Sequence, residues 1–227
     1  MQKINRPVKM APKLLIELHY LPCVQYLSKW LLHEQILVEA HENYTKGSYR
    51  NRCQIAGANG PLRLSIPLQS GKNEQQPIRE VRIAHRDAWA KKHWRAIRSA
   101  YGKSPYFEHY AHELAPLFEK TFTFLFDWNW TLLQTLVPLL GLPNKLQLSE
   151  AFHRQINPQE CLDFRNTIGP TKRNQGPDSY FQPSPYPQVF TEKSGFIPNL
   201  SALDLLFCAG PQSYSILEAS IIQTYEQ

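Results

Sequence analysis

The sequence predicts an α/β protein with a mixed sheet, a βαβ-like N-terminal unit, a helical middle and an irregular, proline-rich C-terminal arm. Three observations predict this class. Short apolar runs alternate with an amphipathic segment near the start of the chain, as in sheets joined by crossover helices. Segments with helical spacing follow from about residue 87 to 140. Prolines and aromatic residues then dominate residues 168–198, which is typical of an extended, packed arm.

The βαβ-like unit rests on two apolar runs. Leu14–Leu18 predicts the first strand, and Gln35–Ala40 predicts the second. Between them Pro22 opens a helix to about Glu34, because proline is tolerated in the first turn of a helix. A strand, a helix and a strand in so short a stretch favour a parallel pair of strands.

A hairpin is predicted next. Gly57–Gly60 ends in an Asn-Gly turn signal and joins Arg52–Ala56 to Leu62–Leu68, where leucine and isoleucine alternate with polar residues. Ile78–Ile83 has the same alternation and predicts one more strand.

Helices account for most of the remaining chain. Asp87 is the expected N-cap of a helix that runs to about Tyr101, where Gly102 ends it. Further helices are predicted over Pro105–Leu125, Asp127–Leu140 and Leu200–Cys208, with a last one opened by Pro211.

Charge is distributed unevenly along the chain. Residues 1–103 carry 18 Lys and Arg against 7 Asp and Glu, a balance of +11, whereas residues 104–227 have a balance of −5. A basic half can bind nucleic acid, an anionic membrane or a small phosphorylated ligand. The alternative is that the two halves pack together and partly neutralise each other.

Targeting signals are lacking, and the cysteines are scattered. No stretch reaches the roughly 18 consecutive apolar residues of a membrane-spanning helix, and the N-terminus has no secretory apolar region. We expect a cytoplasmic protein with reduced thiols, a loose basic leader over residues 1–13 and a single α/β domain over residues 14–227.

Familiar catalytic motifs do not occur. The sequence has no G-x-G-x-x-G, Walker A, G-x-S-x-G or H-E-x-x-H motif, so it assigns no cofactor. His109 and His112 could share a helical face, but no third ligand is placed with them, and no metal site is predicted.

The loop after the second predicted strand is the main candidate site. Ligands of open α/β sheets bind beyond the carboxyl ends of the strands, and His41 and Glu42 lie just past such an end. We expect one of them to act as the acid or base. The rest of the loop supplies tyrosines to stack on a base or sugar, arginines to hold phosphate or carboxylate, and an amide to position a polar group: Tyr44, Tyr49, Arg50, Asn51 and Arg52. The alternative is a solvated loop whose tyrosines pack beneath it.

Two residues outside the loop complete the candidate site. His93 lies at the border of the apolar face of its helix, whose other face is basic, and it is either a packed core residue or a ligand contact. Asp204 lies in the apolar run LSALDLLF, where a carboxylate needs a partner. It is therefore either half of a buried ion pair or a site residue.

Several segments resemble the WbqC-like protein family, and they occur in the family's order. They are HENY, YRNRCQIAGANGPLRLSIPL, KHWRAIRSAYGKSPYFEHY, DFRNTI and GFIPNLSALDLLFCAGP. The resemblance covers about residues 14 to 217. It departs at His19, where we expect a small residue.

The resemblance implies a bacterial, cytosolic protein of surface-polysaccharide (O-antigen) biosynthesis. Such a protein is an enzyme or a ligand-binding protein for a small anionic ligand such as a nucleotide-sugar. A transferase that moves an acyl or aminoacyl group to a nucleotide-linked amino sugar fits that setting. Two alternatives stay open: a nucleic-acid-binding module built on the basic half, and a non-catalytic partner of a biosynthetic complex.

Overall fold

The computed structural model of the chain describes residues 12–69, 75–171, 176 and 178–222. Most of the expected basic leader lies outside these residues. Four strands form the central sheet: β1 Lys13–Glu17, β2 Gln35–Glu39, β5 Leu146–Leu148 and β6 Cys161–Asp163. Their order is β5-β2-β1-β6, and every neighbouring pair is parallel.

The predicted βαβ unit is confirmed, although its helix is shorter than expected. The helix α1 spans Val24–Ser28 and tightens into a 3₁₀ turn over Lys29–Leu31. The chain then enters β2 beside β1, so that Glu17 is the in-register partner of Glu39. The last residues of the two strands therefore lie side by side.

The predicted hairpin forms a second, separate sheet. Its strands are β3 Arg52–Ile55 and β4 Leu62–Ser65, which pair antiparallel. Parallel and antiparallel strands are thus both present, but in two sheets rather than in one mixed sheet.

The strand predicted over Ile78–Ile83 is wrong. The chain there makes a 3₁₀ turn over Ile78–Glu80, followed by isolated bridges from Ile83 to Leu68 and from Arg82 to Phe124. Ile78, Val81 and Ile83 are buried nonetheless. The apolar pattern therefore reported burial correctly, while the turn that follows Pro77 prevented a continuous strand.

The helical middle is confirmed, with shifted ends. Its helices are α2 Trp89–Tyr101, α3 Phe107–Glu119 and α4 Leu125–Leu139. The expected N-cap role of Asp87 is wrong, because the cap position of α2 is Ala88 and both residues have a left-handed backbone, with φ of 62° and 47°.

Three helices follow in the C-terminal part: α5 Thr191–Ser194, α6 Ala202–Ala209 and α7 Ser213–Ala219. Every residue of α6 is buried, and the hydroxyl of Ser201 caps the helix by accepting a hydrogen bond from the amide of Leu203. α6 packs against α1, α2, α3 and α7, so it joins the N-terminal unit to the helical middle.

All four cysteines are free and buried. Burial raises the pKa of Cys23 to about 11, so this thiol is neutral and belongs to the core. Among the described residues, no helix is long and apolar enough to cross a membrane.

Candidate functional site

Three strands of the parallel sheet end in the same way. Each has an acidic last residue, followed two positions later by a basic residue or a histidine. The pairs are Glu17 and His19 after β1, Glu39 and His41 after β2, and Asp163 and Arg165 after β6. Because the strands are parallel, all three pairs emerge at the carboxyl edge of the sheet, where α/β proteins bind ligands.

The strand order reverses its direction between β1 and β6. After β1 the chain continues into β2, which pairs with one side of β1. The strand β6 follows β5 in the sequence but pairs with the other side of β1. Such a reversal leaves room beyond the strand ends. Asn166 occupies this position: its backbone N–H donates to Oε2 of Glu17 at 2.9 Å, and its backbone is left-handed, with φ of 59°.

The polar side chains that meet at this edge are named the carboxyl-edge cluster: Glu17, His19, Glu39, His41, Glu42, Arg50, Asp163, Arg165 and Asn166. Arg50 is at the centre of the cluster and has no exposed surface. Its Nε donates to Oε1 of Glu42 at 2.7 Å, and its Nη2 donates to the second carboxylate oxygen of Glu42 and to Oδ1 of Asn166. Its Nη1 lies 3.9 Å from Oε1 of Glu17 and has no hydrogen-bond partner among the described residues. Arg50 therefore connects the loop after β2 with β1 and with the segment after β6.

His19 extends the cluster into the core. Its Nε2 lies 3.0 Å from Oε1 of Glu17, so the ring proton is on Nε2 and the lone pair is on Nδ1. Nδ1 has no hydrogen-bond partner in the described part of the chain. The imidazole packs against Tyr26 and Tyr49, with ring centroids 4.6 and 5.4 Å away.

Glu39 organises the other side of the cluster. Its Oε1 accepts hydrogen bonds of 2.8 Å from the Ser149 hydroxyl and from the backbone N–H of His41, and its Oε2 accepts one from Nη1 of Arg165. Arg165 also binds Asp163 through two nitrogens. The His41 ring is exposed, with Nε2 3.1 Å from the Ser149 carbonyl, so Nδ1 of His41 carries the lone pair.

The two glutamates on either side of Arg50 have pKa values displaced in opposite directions. Burial alone would raise the pKa of Glu17, but the hydrogen bond and charge of His19 and the charge of Arg50 lower it to about 2. Burial raises the pKa of Glu42, the bond from Arg50 opposes this, and the charges of Glu17 and Glu39 add to the rise. The environment therefore favours the ionised form of Glu17, whereas burial disfavours the ionised form of Glu42.

The cluster reaches the surface at its margins. His41, Asp163 and Asn166 are exposed, while Arg50, Glu17 and the side chains between them are buried. A substrate would therefore meet the exposed residues directly, and the buried ones would act through them.

The residues expected in the loop divide into two groups. His41, Glu42 and Arg50 belong to the carboxyl-edge cluster. Tyr44 and Tyr49 are buried, so their rings lie beneath the loop, as in the packing alternative. The Asn51 side chain donates to the Ile66 carbonyl, and Arg52 is half-buried in β3.

His93 and Asp204 belong to hydrogen-bond networks of their own. Nδ1 of His93 accepts from the Tyr20 hydroxyl at 2.9 Å, and burial lowers the pKa of His93 to about 4 against an opposing bond from Ser65. Asp204 accepts from Tyr186 and Gln188, both at 2.8 Å, and burial raises its pKa. Asp204 thus ties the C-terminal arm to α6.

Sequence reasoning missed six members of the cluster: Glu17, His19, Glu39, Asp163, Arg165 and Asn166. The signal that could have found all of them except Asn166 is the repeated spacing of an acidic residue and a basic residue or histidine at three apolar strand ends. Each occurrence is unremarkable alone, and only the shared position at a strand end makes the pattern informative.

The fold and the cluster define an α/β protein with a polar site at the carboxyl edge of a parallel sheet. The chain belongs to the WbqC-like protein family, which matches residues 18–216. It is 28% identical over 218 residues to "Uncharacterized protein Rv1507c" of Mycobacterium tuberculosis (strain ATCC 25618 / H37Rv), over 88% of this chain and 94% of that protein. No solved structure matches the chain significantly.

Proposed function

We propose that this protein acts in bacterial surface-polysaccharide biosynthesis and transfers an acyl or aminoacyl group to the amino group of a nucleotide-linked sugar. The family resemblance supports a role in surface-polysaccharide biosynthesis. The observation that carries the chemistry is the pair of carboxylates around Arg50, Glu17 and Glu42, with pKa values displaced in opposite directions. Such pairs are typical of acid–base sites.

The reaction needs a base beside the attacking amine. The amine nitrogen attacks the carbonyl carbon of an activated ester or thioester, a C–N bond forms, and the C–O or C–S bond breaks. The nitrogen loses a proton, and the departing oxygen or sulfur gains one. His41 is exposed with its lone pair on Nδ1 and is the first acceptor, and Glu42 is the buried carboxylate that can hold a proton.

The charge of the cluster favours an amino substrate. Four carboxylates, Glu17, Glu39, Glu42 and Asp163, face two arginines, Arg50 and Arg165. The surplus of negative charge attracts the ammonium form of an amino sugar, which gives one proton to His41 before the free amine attacks.

Arg52 is the residue to which we assign the phosphate of the nucleotide. Arg50 is fully buried and engaged by Glu42, so it organises the site. Arg52 is only half-buried in β3, so part of its guanidinium is open to a ligand. A partly exposed guanidinium is suited to a phosphate oxygen.

A thermal-shift screen tests the proposal. The panel contains nucleotide-sugars, free nucleotides and coenzyme A esters at low and high salt, with Arg52→Gln as the variant and exposed Arg86→Gln as the control. A ligand at about 100 times its Kd stabilises the fold by about 2.7 kcal/mol. We expect a salt-resistant shift with a nucleotide-sugar that Arg52→Gln loses and Arg86→Gln keeps. Equal binding of every ligand by wild type and Arg52→Gln would exclude the phosphate role.

Catalysis is tested separately by following acyl transfer from a coenzyme A ester to the amino sugar of any nucleotide-sugar that binds. Glu42→Gln keeps the size of the side chain but can neither take up a proton nor accept both hydrogen bonds from Arg50. We expect it to bind the nucleotide-sugar and to transfer the acyl group at least tenfold more slowly. Unchanged transfer by Glu42→Gln would remove Glu42 from the mechanism.

A second candidate function, nucleic-acid binding, is favoured by the surface of α2. This helix contains four exposed cations and no acidic residue: Lys91, Lys92, Arg95 and Arg98. Binding through this face would weaken steeply with salt, by about 0.7 to 0.9 logarithmic units per phosphate contact for each tenfold rise in salt. An oligonucleotide in the same screen distinguishes the two functions. Oligonucleotide binding through α2 would weaken when Lys92 and Arg95 are replaced by glutamine, whereas nucleotide-sugar binding would not.

A further inference from the structure

One face of the parallel sheet carries a groove with a volume of about 450 Å³. Leu15 of β1 and Leu37 of β2 line its floor, and Gln155, Ile156 and Asn157 line it from the segment between β5 and β6. The volume lies in the range of roughly 300 to 1,000 Å³ that is usual for small-molecule sites.

The polar lining of the groove is rich in amides. Four primary amides line it, from Gln35, Gln147, Gln155 and Asn157. Asn157 is engaged within the protein, because its Nδ2 donates to Glu160 and its Oδ1 accepts from the Gln159 N–H. A glutamine amide has two N–H donors and a carbonyl acceptor, which match hydroxyl groups that both donate and accept. A hydrogen bond of 2.6 Å from Nε2 of Gln35 to Oε1 of Gln147 aligns two of them across neighbouring strands.

The charge of the lining excludes a phosphate as the main ligand group. Lys13 is its one formal cation, and Glu150 and Glu160 also line the groove. Amides beside an apolar floor instead suit a neutral ring with several hydroxyls, because the C–H face of such a ring covers leucine while its hydroxyls reach the amides.

The groove leads to the carboxyl-edge cluster. Alternate side chains of a strand share a face, so Leu15 and Leu37 are followed on the same face by Glu17 and Glu39. Ser149 lines the groove and also donates to Glu39, and its carbonyl lies 3.1 Å from Nε2 of His41. A ligand that fills the groove therefore ends beside the residues with acid–base chemistry.

We infer that this groove binds the polyhydroxylated pyranose ring of the substrate, with its reacting amino group at the Ser149 end. The inference deepens the proposed function and rests on it for the reacting substituent. Binding of the ring in the groove follows from the lining alone and is measurable without turnover.

Saturation-transfer NMR with N-acetylglucosamine, glucosamine, uridine diphosphate and uridine diphosphate N-acetylglucosamine tests the inference. The variant is Gln35→Leu with Gln147→Leu, and the control is Gln134→Leu on the exposed side of α4. We expect saturation transfer to the sugar ring protons in wild type and control, and about tenfold weaker binding in the double variant, since several hydrogen bonds are lost. Gln155→Leu, outside the strands, provides a second variant if the double variant does not fold.

Two results would overturn the inference. One is binding of uridine diphosphate without saturation transfer to the protons of any sugar ring, and the other is equal sugar binding by wild type and the groove variants. The proposed function fails separately. If the sugar binds in the groove while Glu42→Gln transfers acyl groups like wild type, the acid–base role is wrong and the groove assignment stands. If acyl transfer depends on Glu42 but the groove variants bind and acylate the sugar like wild type, only the groove assignment is wrong.

Discussion

The guanidinium of Arg50 and the carboxylate of Glu42 form a buried pair, with Nε and Oε1 2.7 Å apart. A buried ion pair contributes little net stability, because desolvating both charges offsets their attraction. Its effect here is positional. Arg50 also binds Asn166 and lies near Glu17, so the pair holds together segments that follow three different strands.

Removing one partner of this pair leaves the other charge buried. We expect Arg50→Met and Glu42→Leu each to lower the free energy of unfolding by about 3–5 kcal/mol. The double variant should lose much less than the sum of the two, since it buries neither charge. Urea unfolding of the four proteins at neutral pH measures this coupling. Additive losses would show that the two side chains do not interact.

Acid should destabilise the fold through Glu17. Its folded-state pKa of about 2 lies below its usual 4.5, so ionised Glu17 stabilises the folded state above pH 4.5. That contribution, on the order of 3 kcal/mol, is lost as the pH falls from 4.5 towards 2. The difference in unfolding free energy between wild type and Glu17→Gln should shrink across this window. A difference that is constant with pH would contradict the prediction.

His93 should affect the stability of the fold at higher pH than Glu17 does. Burial lowers its pKa to about 4 from 6.5, so the unfolded chain takes up the proton first as the pH falls. Stability should therefore decrease by on the order of 3 kcal/mol between pH 6.5 and pH 4 because of this residue. His93→Gln should flatten the pH profile in that range, whereas His112→Gln, at an exposed histidine, should keep the wild-type slope.

Two substitutions at Asn166 distinguish the cost of backbone strain from the cost of a lost side-chain hydrogen bond. Its left-handed φ of 59° suits glycine or asparagine, and its Oδ1 accepts from Arg50. Asn166→Gly loses only the side-chain bond, with a cost of about 1–2 kcal/mol. Asn166→Ala adds about 1–2 kcal/mol of strain. The midpoint of thermal unfolding should be highest for wild type, lower for Asn166→Gly and lowest for Asn166→Ala. Equal midpoints for the two variants would show that the backbone at this position is not strained.

Local patterns in the sequence predicted most elements of the fold. The apolar runs around Leu14–Leu18 and Gln35–Ala40 predicted a parallel pair, the Asn-Gly turn predicted the hairpin, and the apolar run Leu200–Cys208 predicted α6. Each of these signals depends on neighbouring residues alone. Where the outcome depended on packing, as at Ile78–Ile83, the alternation predicted burial but not the backbone conformation.

The sequence by itself determined the class of fold and one part of the site. His41, Glu42 and Arg50 are close in the chain and follow one strand, so their proximity could be expected. The tertiary structure alone decided that Asn166 joins them beside Glu17, because β6 pairs with β1 rather than with its predecessor β5. Strand order depends on the packing of the whole chain, and no local pattern near residue 17 or residue 166 encodes it.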